Sequence, residues 1–340
     1  MTIKSDEKFL GVEPSLEDYW RSIILLGRNT ASYKFSLAKT LLEIPNKKNL
    51  ILIEDIALPF ALNICQHLKK YDKQHTGFSN TFLDDCRKFN SQKISENDLV
   101  TSSIKNGFTY VFDAFHNVIG SQTPFFFRDA GKRDRSIILT DNFYSLLENN
   151  SNKNFLYEID SRWRLWELAI SLKINPKLIE IKSDTNDEIL FILNQKNKRV
   201  DVTSVKPTLN GYQKGKCFYC ACNIEVEACE TDHFFPDTLK EHSKDIGYNF
   251  YKVDEIWNLV LTCVDCNRGP GGKFHKIPEL NFLNLLKIRN NHYIESHHPL
   301  RETIMNQIGN TFSSREKFLN EFYSQSIRVI PFKWKPKTFK

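Results

Sequence analysis

Apolar residues recur at helical spacing through most of the first 170 residues. Residues 15–44 carry Trp20, Ile23, Ile24 and Leu25, then Tyr33, Phe35, Leu37, Leu41 and Leu42, a pattern that predicts helix. Residues 57–70 predict another, with Pro59 near its first turn, and the windows 80–89, 95–107 and 108–119 continue the pattern. Residues 124–128 and 136–140 read as short strands. Residues 152–172 form a long amphipathic helix with Trp163, Leu165 and Trp166 on its packed side. The period then changes to two. Residues 178–183, 188–193 and 198–205 are strand candidates separated by polar turns. Beyond residue 280 the helical period returns in windows 281–294, 300–308 and 314–327.

This pattern predicts an α+β chain. A mostly helical recognition, regulatory or oligomerisation domain spans residues 1–175, and short strands and linker follow over 176–210. A compact module covers 211–280, and a helical extension with a basic tail covers 281–340. Hydrophobic residues make up 41% of the chain and charged residues 26%, which excludes collagen-like and strongly disordered classes. No run approaches 18 apolar residues, so no membrane partner is expected. The opening residues lack an apolar h-region, so a cytoplasmic location is expected.

Cysteine changes the picture most. Six of the eight cysteines fall between Cys217 and Cys266. They include two CxxC knuckles, Cys217/Cys220 and Cys263/Cys266, with 42 residues between them. Two residues between cysteines let both thiolates of a tight turn face one tetrahedral Zn²⁺. Two such knuckles predict a structural four-cysteine zinc site with no open position for catalysis. Cys222 and Cys229 are surplus; Cys222 competes with Cys220 as a ligand, and both otherwise read as small buried hydrophobes.

Between and just after the knuckles stand Glu230-Thr-Asp-His233-Phe-Phe-Pro236, Asn258-Leu-Val-Leu261 and Cys263-Val-Asp-Cys266-Asn267. In this order, over about 60 residues, the segment resembles the HNH endonuclease family. The resemblance implies a ββα-metal fold: a β-hairpin, a helix, and one divalent ion between them. It implies His233 as the general base that deprotonates water, suited by a pKa near operating pH. It implies Asp232 on the opposite side of the strand as a ligand of Mg²⁺ or Mn²⁺, and Asn267 as the second protein ligand. Asn258 would hold the loop carrying His233 through side-chain-to-backbone hydrogen bonds. Many family members place His where this chain has Asn267; His275, eight residues on, is an alternative third ligand. Arg268 and Lys273 are candidate phosphate contacts.

The +6 net charge hides an asymmetry. Residues 217–263 hold 3 Lys+Arg against 9 Asp+Glu, whereas residues 264–340 hold 13 against 6. A basic segment after an acidic metal site suits a DNA partner, with RNA also open. The resemblance further suggests bacterial restriction or anti-phage defence, with a homodimer or a defence-complex subunit as assembly states. The competing reading is a non-catalytic zinc-ribbon adaptor that binds nucleic acid or protein. His67, His75 and His116 are scattered; His116 is expected to be a hydrogen-bonded core histidine and His242 to be exposed, and His297-His298-Pro299 reads as a turn before a helix, with a second metal or phosphate site as the alternative.

Overall fold

The structure, a computed structural model, describes residues 15–26, 31–44, 49–77, 80–118, 125–130, 136–148, 152–171, 181–184, 187–193, 199–295, 298 and 300–337. The expectations at the opening residues, His297, Pro299 and Lys340 lie outside the described residues. The chain divides into two units, Met1–Lys173 and Ile174–Lys340.

The first unit is helical around aromatic residues. It contains α1 (Leu16–Leu26), α2 (Tyr33–Glu43), α3 (Ile53–Leu68), α4 (Thr81–Asn90), α5 (Glu96–Ser102), α6 (Val111–Phe115), α7 (Asp141–Glu148) and α8 (Asn152–Ser171). Trp20 of α1 is buried among Phe115, Phe126, Phe143 and Phe155, with ring centroids 5.2–6.4 Å apart. Trp163 and Leu165 of α8 are fully buried, as the periodicity predicts. Polar residues set the helix starts: Asn80 accepts from the Leu83 amide, and Ser95 with Asp98 forms a reciprocal capping box. A π-helical segment, Ser103–Gly107, extends α5. A Cβ on Gly107 would stand 3.1 Å from the Phe60 ring, so a side chain there would need that ring to shift by a few tenths of an ångström.

Two details depart from the sequence reading. Helix α3 begins at Ile53, which puts Pro59 inside the helix rather than at its start. Fully buried Ile56, Phe60 and Ile64 hold the helix through the lost backbone bond. Leu50–Leu52 forms an unexpected strand, β1, which pairs antiparallel with β3 (Ser136–Leu139); β2 (Phe127–Asp129) pairs on the other side of β3.

The second unit opens with an antiparallel sheet of β4 (Lys182–Asp184), β5 (Ile189–Leu193) and β6 (Arg199–Ser204), with β5 central. Helix α9 (Val205–Gln213) follows, ended by Lys214 in the left-handed region. Strand β7 (Glu230–His233) then pairs antiparallel with β8 (Leu259–Thr262), and α10 (Val264–Asn267) follows β8 directly. Helices α11 (Leu280–Glu295), α12 (Arg301–Ile308) and α13 (Phe312–Val329) complete the unit. Every residue of β8 is buried. Gln213 bonds both the amide and the carbonyl of Leu261 at 2.8 Å. Arg289 of α11, 1% exposed, donates to the carbonyls of Leu259 and Trp257. The segment after α13 docks: β10 (Lys333–Trp334) runs parallel to β9 (Ile277–Pro278), and Trp334 Nε1 donates to the Gly271 carbonyl at 2.8 Å. Among the described residues no helix is long and apolar enough to cross a membrane.

Candidate active site and metal centre

The four knuckle cysteines meet. Cys217, Cys220, Cys263 and Cys266 place their Sγ atoms within 4.8 Å of one another, a cluster that could hold a metal ion and is compatible with zinc. Cys220 and Cys263 Sγ lie 3.8 Å apart, far beyond the roughly 2.05 Å of a disulfide. The edge of a tetrahedron with Zn–S bonds of about 2.3 Å is also about 3.8 Å. Local backbone builds each half. The first knuckle closes on Ala221 in the left-handed region, with the Ala221 amide donating to Cys217 O at 3.0 Å. The second opens α10, where the Asn267 amide donates to Cys263 O at 3.2 Å. The Cys217 thiol is pushed down to about 5, first by its hydrogen bond with Cys266, so it readily supplies the thiolate a metal needs. Cys222 lies beside Cys220 and Cys263, and burial with these neighbours raises its thiol pKa. Cys229 is buried apart from the four, its Sγ 3.3 Å from Val226 O.

Adjacent positions on β7 face opposite ways, so Asp232 and His233 meet different surroundings. His233 Nε2 lies 3.4 Å from Asp254 Oδ1, at ion-pair distance but without a completed hydrogen bond. Asp254 is held below the usual carboxylate range, first by His233 and then by Lys240, whose ammonium sits 3.0 Å from both its oxygens. The Ser183 hydroxyl of β4 donates to the Asp254 carbonyl. No spacing in the sequence pointed to Asp254, which joins the site only through the turn at Phe250–Asp254.

Asn258 is fully buried, and its amide bridges three backbone groups. Its Oδ1 accepts from the Phe235 amide, and its Nδ2 donates to the Phe235 and Val253 carbonyls, each at 2.8 Å. These bonds fix the loop that leaves His233. Asn258→Ala would leave three buried groups without that partner, at about 1–3 kcal/mol each. A chemical-denaturation curve should show a loss of at least about 2 kcal/mol. An unchanged midpoint would mean the clamp does not hold the loop.

Asp232 points inward. Its Oδ2 accepts from the Tyr219 hydroxyl at 2.7 Å, and its Oδ1 pairs with Lys273 Nζ at 3.0 Å. Lys273 is fully buried and also donates to the His233 carbonyl at 2.7 Å. This corrects the expectation that Lys273 contacts phosphate from the surface. A carboxylate this buried needs a cation, and the turn at residues 269–272 lets Lys273 fold back to provide one. Arg268 does remain exposed, its Nε 2.6 Å from Glu230 Oε1. Asn267 Nδ2 donates to Glu230 Oε2 at 2.9 Å. Glu230 thus gathers Asn267 and Arg268 on the face of β7 that also carries Asp232, a role that its place two residues before Asp232 could have signalled. His275 is exposed, and among the described residues no hydrogen bond or ion pair joins it to Asp232.

His67 and His116 are structural, and His242 is exposed. His67 stacks on Trp163 at 3.5 Å and bonds Glu167 at 2.7 Å. His116 Nε2 accepts from the Phe126 amide, and burial pushes its pKa down to about 4. His242 is exposed near Asp245. No family model matches the chain, and no curated protein or solved structure matches it.

Proposed function

We propose that the chain is a metal-dependent HNH-type endonuclease that hydrolyses DNA phosphodiester bonds. The observation that supports this most is the Asn258 clamp, because it restrains the loop that leaves His233 and so holds the imidazole beside Asp254. A purely structural zinc ribbon has no need of that arrangement. His233 takes a proton from the attacking water at Nδ1, while Asp254, beside Nε2, orients the imidazole and stabilises the imidazolium that forms. Arg268 meets the phosphate at the rim. The four-cysteine zinc ties the first knuckle to the start of α10 and leaves the chemistry to the hairpin.

The donor chemistry suits a hard divalent ion: Asp232, Asn267 and nearby Glu230 are oxygen donors, as Mg²⁺ or Mn²⁺ prefers. Such an ion would be held by Asp232 and Asn267 and would supply charge stabilisation at the phosphate. At Asp232 it competes with the Lys273 ammonium, which already balances that carboxylate. Lys273→Met should therefore destabilise the protein by roughly 3–5 kcal/mol, the cost of stranding one member of a buried pair. Mn²⁺ should restore more of the melting temperature in this variant than it adds to the wild type. A variant whose melting temperature ignores Mn²⁺ would remove Asp232 from the ligand set.

The role would be bacterial restriction or phage defence, acting as a homodimer or within a defence complex. The test is cleavage of end-labelled DNA by the full-length chain in Mg²⁺ or Mn²⁺. Hydrolysis of this type leaves 5′-phosphate and 3′-hydroxyl ends; products with the opposite ends would exclude the proposed attack.

A further inference from the structure

A cavity of about 210 Å³ lies in the first unit at the start of α2, well above the roughly 30 Å³ share of one water. Tyr33, Lys34, Asn80, Asn106, Thr109 and Tyr110 are among its lining residues, and among the described residues no Asp or Glu lines it. Lys34 is 4% exposed. Its ammonium has a long 3.4 Å contact to the Asn117 carbonyl, and among the described residues no carboxylate pairs with it. Buried charges are ordinarily paired, so a buried lysine without an acid at an open cavity is an unmet electrostatic demand. Burial pushes its amine down to about 8, a shift that a bound anion would oppose.

A second feature points the same way. Helix α2 is 11 residues long, and its N-cap, Ser32, makes no side-chain capping bond. The Ser32 hydroxyl, next to the lining residues Ala31 and Tyr33 but not itself on the cavity wall, is fully buried and finds no hydrogen-bond partner among the described residues. The first amides of a helix carry partial positive charge and seek acceptors. Beside them, the Tyr110 ring is 79% exposed on the cavity wall, an aromatic face open to stacking. Asn106 and Thr109 add neutral hydrogen-bonding groups.

We infer that this cavity binds a small phosphate-bearing molecule, its phosphate on Lys34 and the first turn of α2 and its remainder against Tyr110. A phosphate suits a point-charge lysine at a helix start. The site lies wholly in the first unit and is independent of the nuclease reading.

Isothermal calorimetry on the full-length chain at fixed ionic strength tests this. The probes are inorganic phosphate, adenosine 5′-monophosphate and neutral adenosine. Phosphate should bind saturably, the nucleotide more tightly, and adenosine not at all. Lys34→Met and Asn106→Asp should each weaken both anions at least tenfold, the second by placing a carboxylate in an acid-free cavity. Tyr110→Ala should reduce nucleotide affinity toward that of phosphate and leave phosphate binding unchanged. The inference fails if neither anion saturates at millimolar concentration, or if adenosine binds as well as its monophosphate. It also fails if Asn106→Asp binds like the wild type, a result that decides the matter even if Lys34→Met does not fold.

Discussion

Cys263→Ser should release the zinc and unfold much of the second unit. The four Sγ atoms already lie within 4.8 Å of one another, so the cluster is a cross-link between the segment before β7 and the segment after β8. Apparent binding energies of structural zinc are on the order of 10–16 kcal/mol at neutral pH. The whole stability of a domain is about 5–15 kcal/mol, so a weakened site threatens the unit it closes. Metal analysis should fall from near one equivalent of zinc to well below it, and limited proteolysis should cut between residues 217 and 267. Cys229→Ser is the control, because that thiol lies outside the four and bonds the Val226 carbonyl. It should keep its zinc. A Cys263→Ser protein that retains full zinc and wild-type protease resistance would overturn the four-cysteine centre.

His233→Ala should lose DNA cleavage by about 10²–10⁴-fold, the usual contribution of a positioned general base. The loss should come with only a small fall in stability, because the Asp254 carboxylate that His233 faces is partly exposed. The His233 side chain completes no hydrogen bond through Nε2, and its neighbours Asp254 and Lys240 still pair without it. Nearly matching denaturation midpoints together with lost cleavage would separate chemistry from folding. A variant that cuts at the wild-type rate would show that another group takes the proton.

The sequence was most legible where spacing has a direct geometric meaning. Two residues between cysteines fix a knuckle, and both knuckles do converge. Adjacent residues on a strand must diverge, and Asp232 and His233 do. The amphipathic windows became helices because the burial of Trp20, Trp163 and Leu286 follows their period. Side-chain partners brought in by turns were not legible. Asp254 reaches His233 across 21 positions of irregular chain, and nothing in a periodic pattern reports such a contact. Lys273 read as a surface cation because lysine usually is one, yet the buried carboxylate of Asp232 draws it inward. Strand β1 was missed because three residues carry too little alternation to register; its pairing with β3 defines it.

Whether the hairpin carrying His233 is a nuclease centre is decided on supercoiled plasmid. Wild type and His233→Ala should be incubated side by side in Mg²⁺ and in Mn²⁺. The expected result is nicked or linear plasmid with the wild type and intact supercoils with the variant. Plasmid left supercoiled by the wild type under every condition, or cut equally by both proteins, would contradict it.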